Sequence, residues 1–253
     1  MLWNTGEDKM IKGFILSLQF LTGLPINYSI EFKDTNIRNS IFFFPLVGAI
    51  IGGIGGSVYL LVSPLNVEIA TILTLLILVI LTGGLHIDGL SDTFDGFLSN
   101  KDRENTLEIM KDSRVGAYGV LSIVLLLLFK YILMKNIKPL PMALILSLSN
   151  SRLTAGYVIS YKKTAKSQGL GDLFSKSNPG KRMMVSGGIY LIILLILNKI
   201  YILPLIASLV SGEILSHIAY KKINGLTGDV YGAIIEISEC ISLLTYWGIF
   251  LWI

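Results

Sequence analysis

Cysteine and charge are what this chain has least of. Of its 253 residues one is a cysteine, Cys240, and only 15% are charged. A single thiol excludes an intramolecular disulfide, and in its apolar stretch it reads as a small hydrophobe in a helix. Two histidines, His86 and His217, are too few for a typical zinc centre. Soluble domains carry about a quarter charged residues, so this composition points to lipid. Barrel strands, which alternate polar and apolar over about 10 residues, are missing as well. What is present is apolar: 53% of residues are hydrophobic and the mean hydropathy is +0.69.

A membrane-spanning helix needs about 20 largely apolar residues. On that basis segments fall at 10–26, 38–62, 66–86, 117–134, 140–160, 183–200, 203–220 and 232–253. The expected fold is all-α, a polytopic transmembrane bundle of seven or eight helices in the lipid bilayer, with 1–253 as one catalytic domain. The first segment is the weakest. Lys9 and Lys12 precede it as in a signal peptide, but no cleavage site follows and Gln19, Gly23 and Pro25 interrupt it. It reads as a retained amphipathic or short spanning helix. Gly48, Gly52, Gly53, Gly55 and Gly56 suit close helix packing.

Sorting the loops places 27–37, 87–116, 161–182 and 221–231, with Arg38 at a helix edge, on one side, which then carries 14 of the 21 Lys and Arg. Lys9, Lys12, Lys135, Lys138 and Lys199 go to the other, with Lys130 and Arg152 inside spans. The positive-inside rule then puts the long loops in the cytoplasm of a cell-membrane protein. It also accounts for the net charge of +4 without nucleic acid, for which no binding motif exists.

The most informative stretch is Gly83-Gly84-Leu85-His86-Ile87-Asp88-Gly89-Leu90-Ser91-Asp92-Thr93-Phe94-Asp95-Gly96. At about 100° per residue, Asp88, Asp92 and Asp95 share one helix face within roughly 60°. Three poorly solvated carboxylates persist if a cation neutralises them or their pKa values rise. Hard oxygen ligands suit magnesium, manganese or calcium. His86 lies on another face, a substrate contact or a plain interfacial histidine. Lys111, Ser113 and Arg114, beside Asp112 and just before the next helix, offer donors suited to phosphate oxygens. Carboxylates beside basic anchors are what metal-assisted phosphoryl transfer requires.

Charges inside apolar segments cost a few kcal/mol and should face the bundle interior. Arg152 is expected to bind phosphate or to pair with a carboxylate. Glu236 and Glu239, at i and i+3 after Asp229, are expected to add a second metal site, hydrogen-bond substrate, or pair with Arg152. For Glu213 and His217 a structural polar contact is as good a reading as function.

At these residues the chain resembles the cobalamin-5'-phosphate synthase family, also called adenosylcobinamide-GDP ribazoletransferase. The resemblance runs from Gly83 to Gly119, including Ile109-Met110-Lys111-Asp112-Ser113-Arg114, Gly116 and Tyr118-Gly119. It extends to Leu18–Thr22, Phe44–Gly48, Ser151-Arg152, Gly169–Phe174, Gly225–Asp229 and Glu236 with Glu239. Ser91, where alanine is common, and Asn224, where a glycine is, depart from the pattern without removing a charge. The resemblance implies that α-ribazole or its 5'-phosphate attacks adenosylcobinamide-GDP through its ribose 3'-hydroxyl, releasing GMP, with magnesium required. Asp88, Asp92 and Asp95 would hold the metal, and one of them or Asp112 would take the proton. His86, Lys111, Ser113, Arg114, Arg152, Asp229, Glu236 and Glu239 would contact substrate. Gly169–Phe174 would close over a large substrate. A homo-oligomer is left open. A CDP-alcohol phosphotransferase lacks support, because Asp88-Gly89 is followed by Leu90-Ser91-Asp92-Thr93 and not by the Ala-Arg element of that family. A cation transporter should hold its acids near mid-membrane and show an internal repeat, and neither feature is found.

Overall fold

The protein is described here by a computed structural model covering residues 6–165 and 169–251. Lys166 and positions 252–253 of the last expected segment lie outside the described residues. Among the described residues twelve α-helices follow in order: α1 Gly6–Leu21, α2 Asp34–Phe42, α3 Phe44–Val62, α4 Val67–Thr82, α5 Leu85–Leu98, α6 Arg103–Ile109, α7 Ala117–Asn136, α8 Leu140–Tyr161, α9 Leu170–Lys176, α10 Gly180–Leu197, α11 Ile202–Ile223 and α12 Gly228–Phe250. A single 3-10 turn, Lys199–Tyr201, precedes α11, and among the described residues there is no β-strand beyond one isolated bridge, Thr164 to Leu226.

Among the described residues five helices are long and apolar enough to cross a membrane: α3, α7, α10, α11 with its leading turn, and α12. Counting α4 and α5 as one bent span makes six. By length and composition this falls short of the seven or eight expected, and α8 accounts for part of the gap. It has the length, 22 residues, but Ser147, Ser149, Asn150, Ser151 and Arg152 in its middle lower its apolarity, and all of them are buried. It packs antiparallel to α3 over nearly its whole height. A Cβ on Gly48, Gly52 or Gly56 would come within 2.4, 2.6 and 2.9 Å of Leu148, Leu144 and Pro141 respectively, so this ridge of α3 lies directly on α8. Gly55 faces Leu78 of α4 instead, and Gly53 faces open space.

The expected segment 38–62 is two helices, broken at Phe43 ahead of Pro45. The segment at 10–26 is also revised. The described part of α1 meets the same end of the bundle at Lys9 and just past Leu21. The Gly23 N–H donates to the Leu81 carbonyl at the end of α4, at 2.8 Å. The Asn39 amide donates to the Lys9 carbonyl at 3.2 Å, and Lys9 shares a cavity with Arg38, Lys181 and Arg182. The helix therefore lies along the loop-bearing end, and Lys9 and Lys12 belong with the long loops. Lys135, Lys138 and Lys199 are left opposite, where Lys135 pairs with Glu68.

Candidate active site

The aspartates sit on a helix that turns aside from the span before it. Gly83 and Gly84 both take left-handed conformations, φ +63° and +70°, which glycine reaches without the penalty a Cβ brings. The axis turns by 86° between α4 and α5, so α5 lies across the loop-bearing end and is not a spanning segment. Two close approaches then seat it on α12. A Cβ at Gly89 would stand 2.7 Å from the Asp229 carbonyl, and one at Gly232 3.1 Å from that of His86. In this way the first turn of α12 brings Asp229 beside the aspartate face.

Asp88 is exposed, while Asp92, Asp95 and Asp229 are half-buried. Burial pushes the Asp92 carboxyl up to about 6, and the charges of Asp88, Asp229 and Asp95 push the same way. Asp95 has a further commitment. Its two oxygens accept the N–H groups of Gly116 at 2.7 Å and Gly119 at 2.9 Å, which caps the first turn of α7. On the loop before α7, Lys111, Ser113 and Arg114 are exposed, as phosphate anchors would need to be. Arg114 forks onto Asp112 (Nε to Oδ1 3.0 Å, Nη2 to Oδ2 2.6 Å), and this hydrogen bonding holds the Asp112 carboxyl down at about 2.

The remaining site residues are elsewhere. Arg152 is 1% exposed and donates to Glu239, whose other oxygen takes Lys130 Nζ at 2.8 Å; Glu236 takes Lys130 at 2.6 Å. Two cations and two carboxylates thus close a buried network of α7, α8 and α12 around a cavity of only about 20 Å³. Of the roles open to Glu236 and Glu239, pairing is the one the geometry supplies, and the cavity is far too small for a nucleotide. Lys130 was missed as a member. Its signal was a lysine inside the apolar run of α7, as costly there as Arg152 in α8. His86 is 5% exposed, sealed on the inner face of α5 as its spacing from Asp88 implies, and its Nε2 has no partner among the described residues. Glu213 takes Lys162 at 2.7 Å, a structural pair, and His217 is exposed. Within Gly169–Phe174, Phe174 is anchored on Phe20 and Phe44, at ring-centroid separations of 4.5 and 6.3 Å. Asp172 is buried against Lys176.

The donor set suits a hard divalent cation. Carboxylates from two helices crowd until one is hard to ionise, and added positive charge relieves that. Among the described residues no three carboxylate, imidazole or thiol groups stand close enough to hold an ion alone. Magnesium is usually held by one or two carboxylates together with water and substrate phosphate, and Asp88 with Asp92 fits that pattern.

The fold and this site together define a polytopic, all-helical membrane enzyme with an acidic centre at its loop-bearing end. Residues 13–247 match the family model described as cobalamin-5-phosphate synthase. An adenosylcobinamide-GDP ribazoletransferase of Treponema denticola is 37% identical over 93% of this chain and 97% of its own. Proteins of the same name from Clostridium botulinum (38%) and Caldanaerobacter subterraneus (37%) are matched over the same share of this chain. The chain belongs to the cobalamin-5-phosphate synthase family. No solved structure matches it.

Proposed function

We propose that this protein joins α-ribazole, or its 5'-phosphate, to adenosylcobinamide-GDP at the cytoplasmic face of the cell membrane, releasing GMP. The observation that carries the reading is the electrostatic grouping of Asp92 with Asp88, Asp95 and Asp229, beside the exposed cations of the 110–114 loop.

Asp88 and Asp92 are the side chains that would hold magnesium. Bound there, the ion would supply charge neutralisation to the diphosphate. Lys111 and Arg114 bind the remaining phosphate oxygens, Arg114 exchanging the Asp112 carboxylate for substrate. The ribose 3'-oxygen forms a bond to the cobinamide-linked phosphorus as that phosphorus loses its bond to GMP, and the hydroxyl proton passes to a carboxylate. Before the ion binds, Asp92 is the more basic carboxyl, raised to about 6, while Asp112 is held near 2; magnesium on Asp92 would lower it, so the proton goes to a carboxylate that the ion leaves free. Asp95 keeps α7 in place behind them. Arg152, Glu236, Glu239 and His86 support the site from within, without reaching substrate.

The test is GMP release from adenosylcobinamide-GDP by purified protein given α-ribazole and magnesium. Asp88→Asn and Asp92→Asn should each lose at least about 10²-fold while keeping the wild-type melting temperature in detergent. Near-normal turnover in both variants would sink the assignment. Absence of GMP from the wild type would sink the reaction itself.

A further inference from the structure

A second concentration of charge lies at the loop-bearing end, apart from the aspartates. Lys9 of α1, Arg38 of α2, and Lys181 and Arg182 of α10 line one cavity of about 550 Å³, together with Asn39 and Asn178. Among the described residues none of these four cations has a carboxylate partner. Arg38 spends only its Nε, on the Asp34 carbonyl at 3.3 Å. Four like charges gathered without acids constitute an anion site.

The cavity also has a floor of a particular kind. Along the same helices, one turn further into the bundle, an apolar groove of about 430 Å³ opens between α2–α3 and α8–α10. On α10 the lining passes from Lys181, Arg182 and Val185 to Ser186, Ile189, Ile193 and Leu197. On α2 it passes from Arg38 and Asn39 to Phe42. The two are joined where the Ser186 hydroxyl donates to the Phe42 carbonyl at 2.8 Å. From Ser186 to Leu197 the helix rises about 17 Å, close to half of a hydrocarbon core roughly 30 Å thick. Ile189, Ile193 and Leu197 remain 45–47% exposed along it. A soluble phosphate compound would use the cavity and leave this groove unexplained.

We propose that cavity and groove form a binding site for one anionic phospholipid. The phosphate headgroup lies among Lys9, Arg38, Lys181 and Arg182, and one acyl chain runs down the groove against α10. Such a lipid would clamp α1 and α2, which do not cross the bilayer, to the spanning α10.

Native mass spectrometry of the detergent-purified chain, titrated with phosphatidylglycerol, phosphatidylcholine or glycerol 3-phosphate, tests this. Phosphatidylglycerol should be retained at least about tenfold better than phosphatidylcholine, since each nearby cation favours an anionic lipid by about 1 kcal/mol. Arg38→Gln/Lys181→Gln/Arg182→Gln should lose that preference, and Arg38→Lys/Arg182→Lys should keep it. Ala49→Phe, which fills the groove from α3, should weaken lipid retention several-fold. An unchanged melting temperature in lipid-free detergent separates loss of binding from loss of fold. Equal retention of the two lipids overturns the proposal, as does glycerol 3-phosphate binding as tightly as phosphatidylglycerol. So does full retention in a correctly folded Ala49→Phe protein.

Discussion

Asp92 and Asp112 are the same side chain in opposite surroundings, and the difference is measurable. Asp92 is raised by burial and three like charges; Asp112 is lowered by a guanidinium. If Asp92 must ionise to take magnesium, kcat/KM at limiting magnesium should climb with pH through about 6 and level off above it. Asp229→Asn removes one of the charges that raise Asp92, so it should move that limb to lower pH. An unmoved limb in this variant would assign the titration to another group. Arg114→Gln should raise KM and leave the limb where it is, since Asp112, freed toward the ordinary carboxylate range of about 4, still titrates below it. Sequence spacing made the aspartate face of α5 legible, but not this ranking within it. Burial and charges from another helix, Asp229 above all, set the order.

The bend ahead of α5 and the cap behind it belong to the scale of the element. Gly83→Ala forces a Cβ into a left-handed backbone, costing about 1–2 kcal/mol, and brings it within 2.9 Å of Gly23 Cα. Gly84→Ala carries the same conformational penalty into open space. Both should melt earlier in detergent, Gly83→Ala more so, and lose GMP release as α5 shifts off α12. For Asp95, cap and metal ligand make different forecasts. Asp95→Asn keeps one acceptor for α7, so it should retain a measurable part of wild-type turnover, whereas Asp92→Asn should not. Asp95→Ala should cost about 0.5–2 kcal/mol of stability. Turnover by Asp95→Asn as low as that of Asp92→Asn would return Asp95 to the metal. The paired glycines were visible in the sequence as part of a motif. That they turn the chain through 86°, laying α5 across the bundle end, follows from their backbone conformation, which an apolar run beginning at 66 does not encode. The same holds for α1, which is placed along the bundle end only by its contacts at Lys9 and Gly23.

Across the whole molecule, hydropathy located α4, α7, α8, α10, α11 and α12 to within a few residues and ran α2 into α3, because lipid-facing surface must be apolar along its full height. It could not pair the charges inside. Lys130, Arg152, Glu236 and Glu239 come from three helices separated by up to 109 residues, and only packing joins them. Breaking a buried pair by removing one partner typically costs about 3–5 kcal/mol. Lys130→Met should therefore lower the melting temperature in detergent markedly, and adding Glu236→Gln should recover part of the loss. A double variant no more stable than the single one would show that the network does not balance charge for charge. The network also sets an order of assembly. Ribosomes deliver α7 and α8 to the membrane well before α12, so for that interval Lys130 and Arg152 sit in the nascent bundle without their carboxylates. Arrival of α12 neutralises both at once, which makes its insertion the step that commits the chain to its fold. Nascent chains halted before residue 228 should be targets for membrane quality control, however well their earlier helices insert.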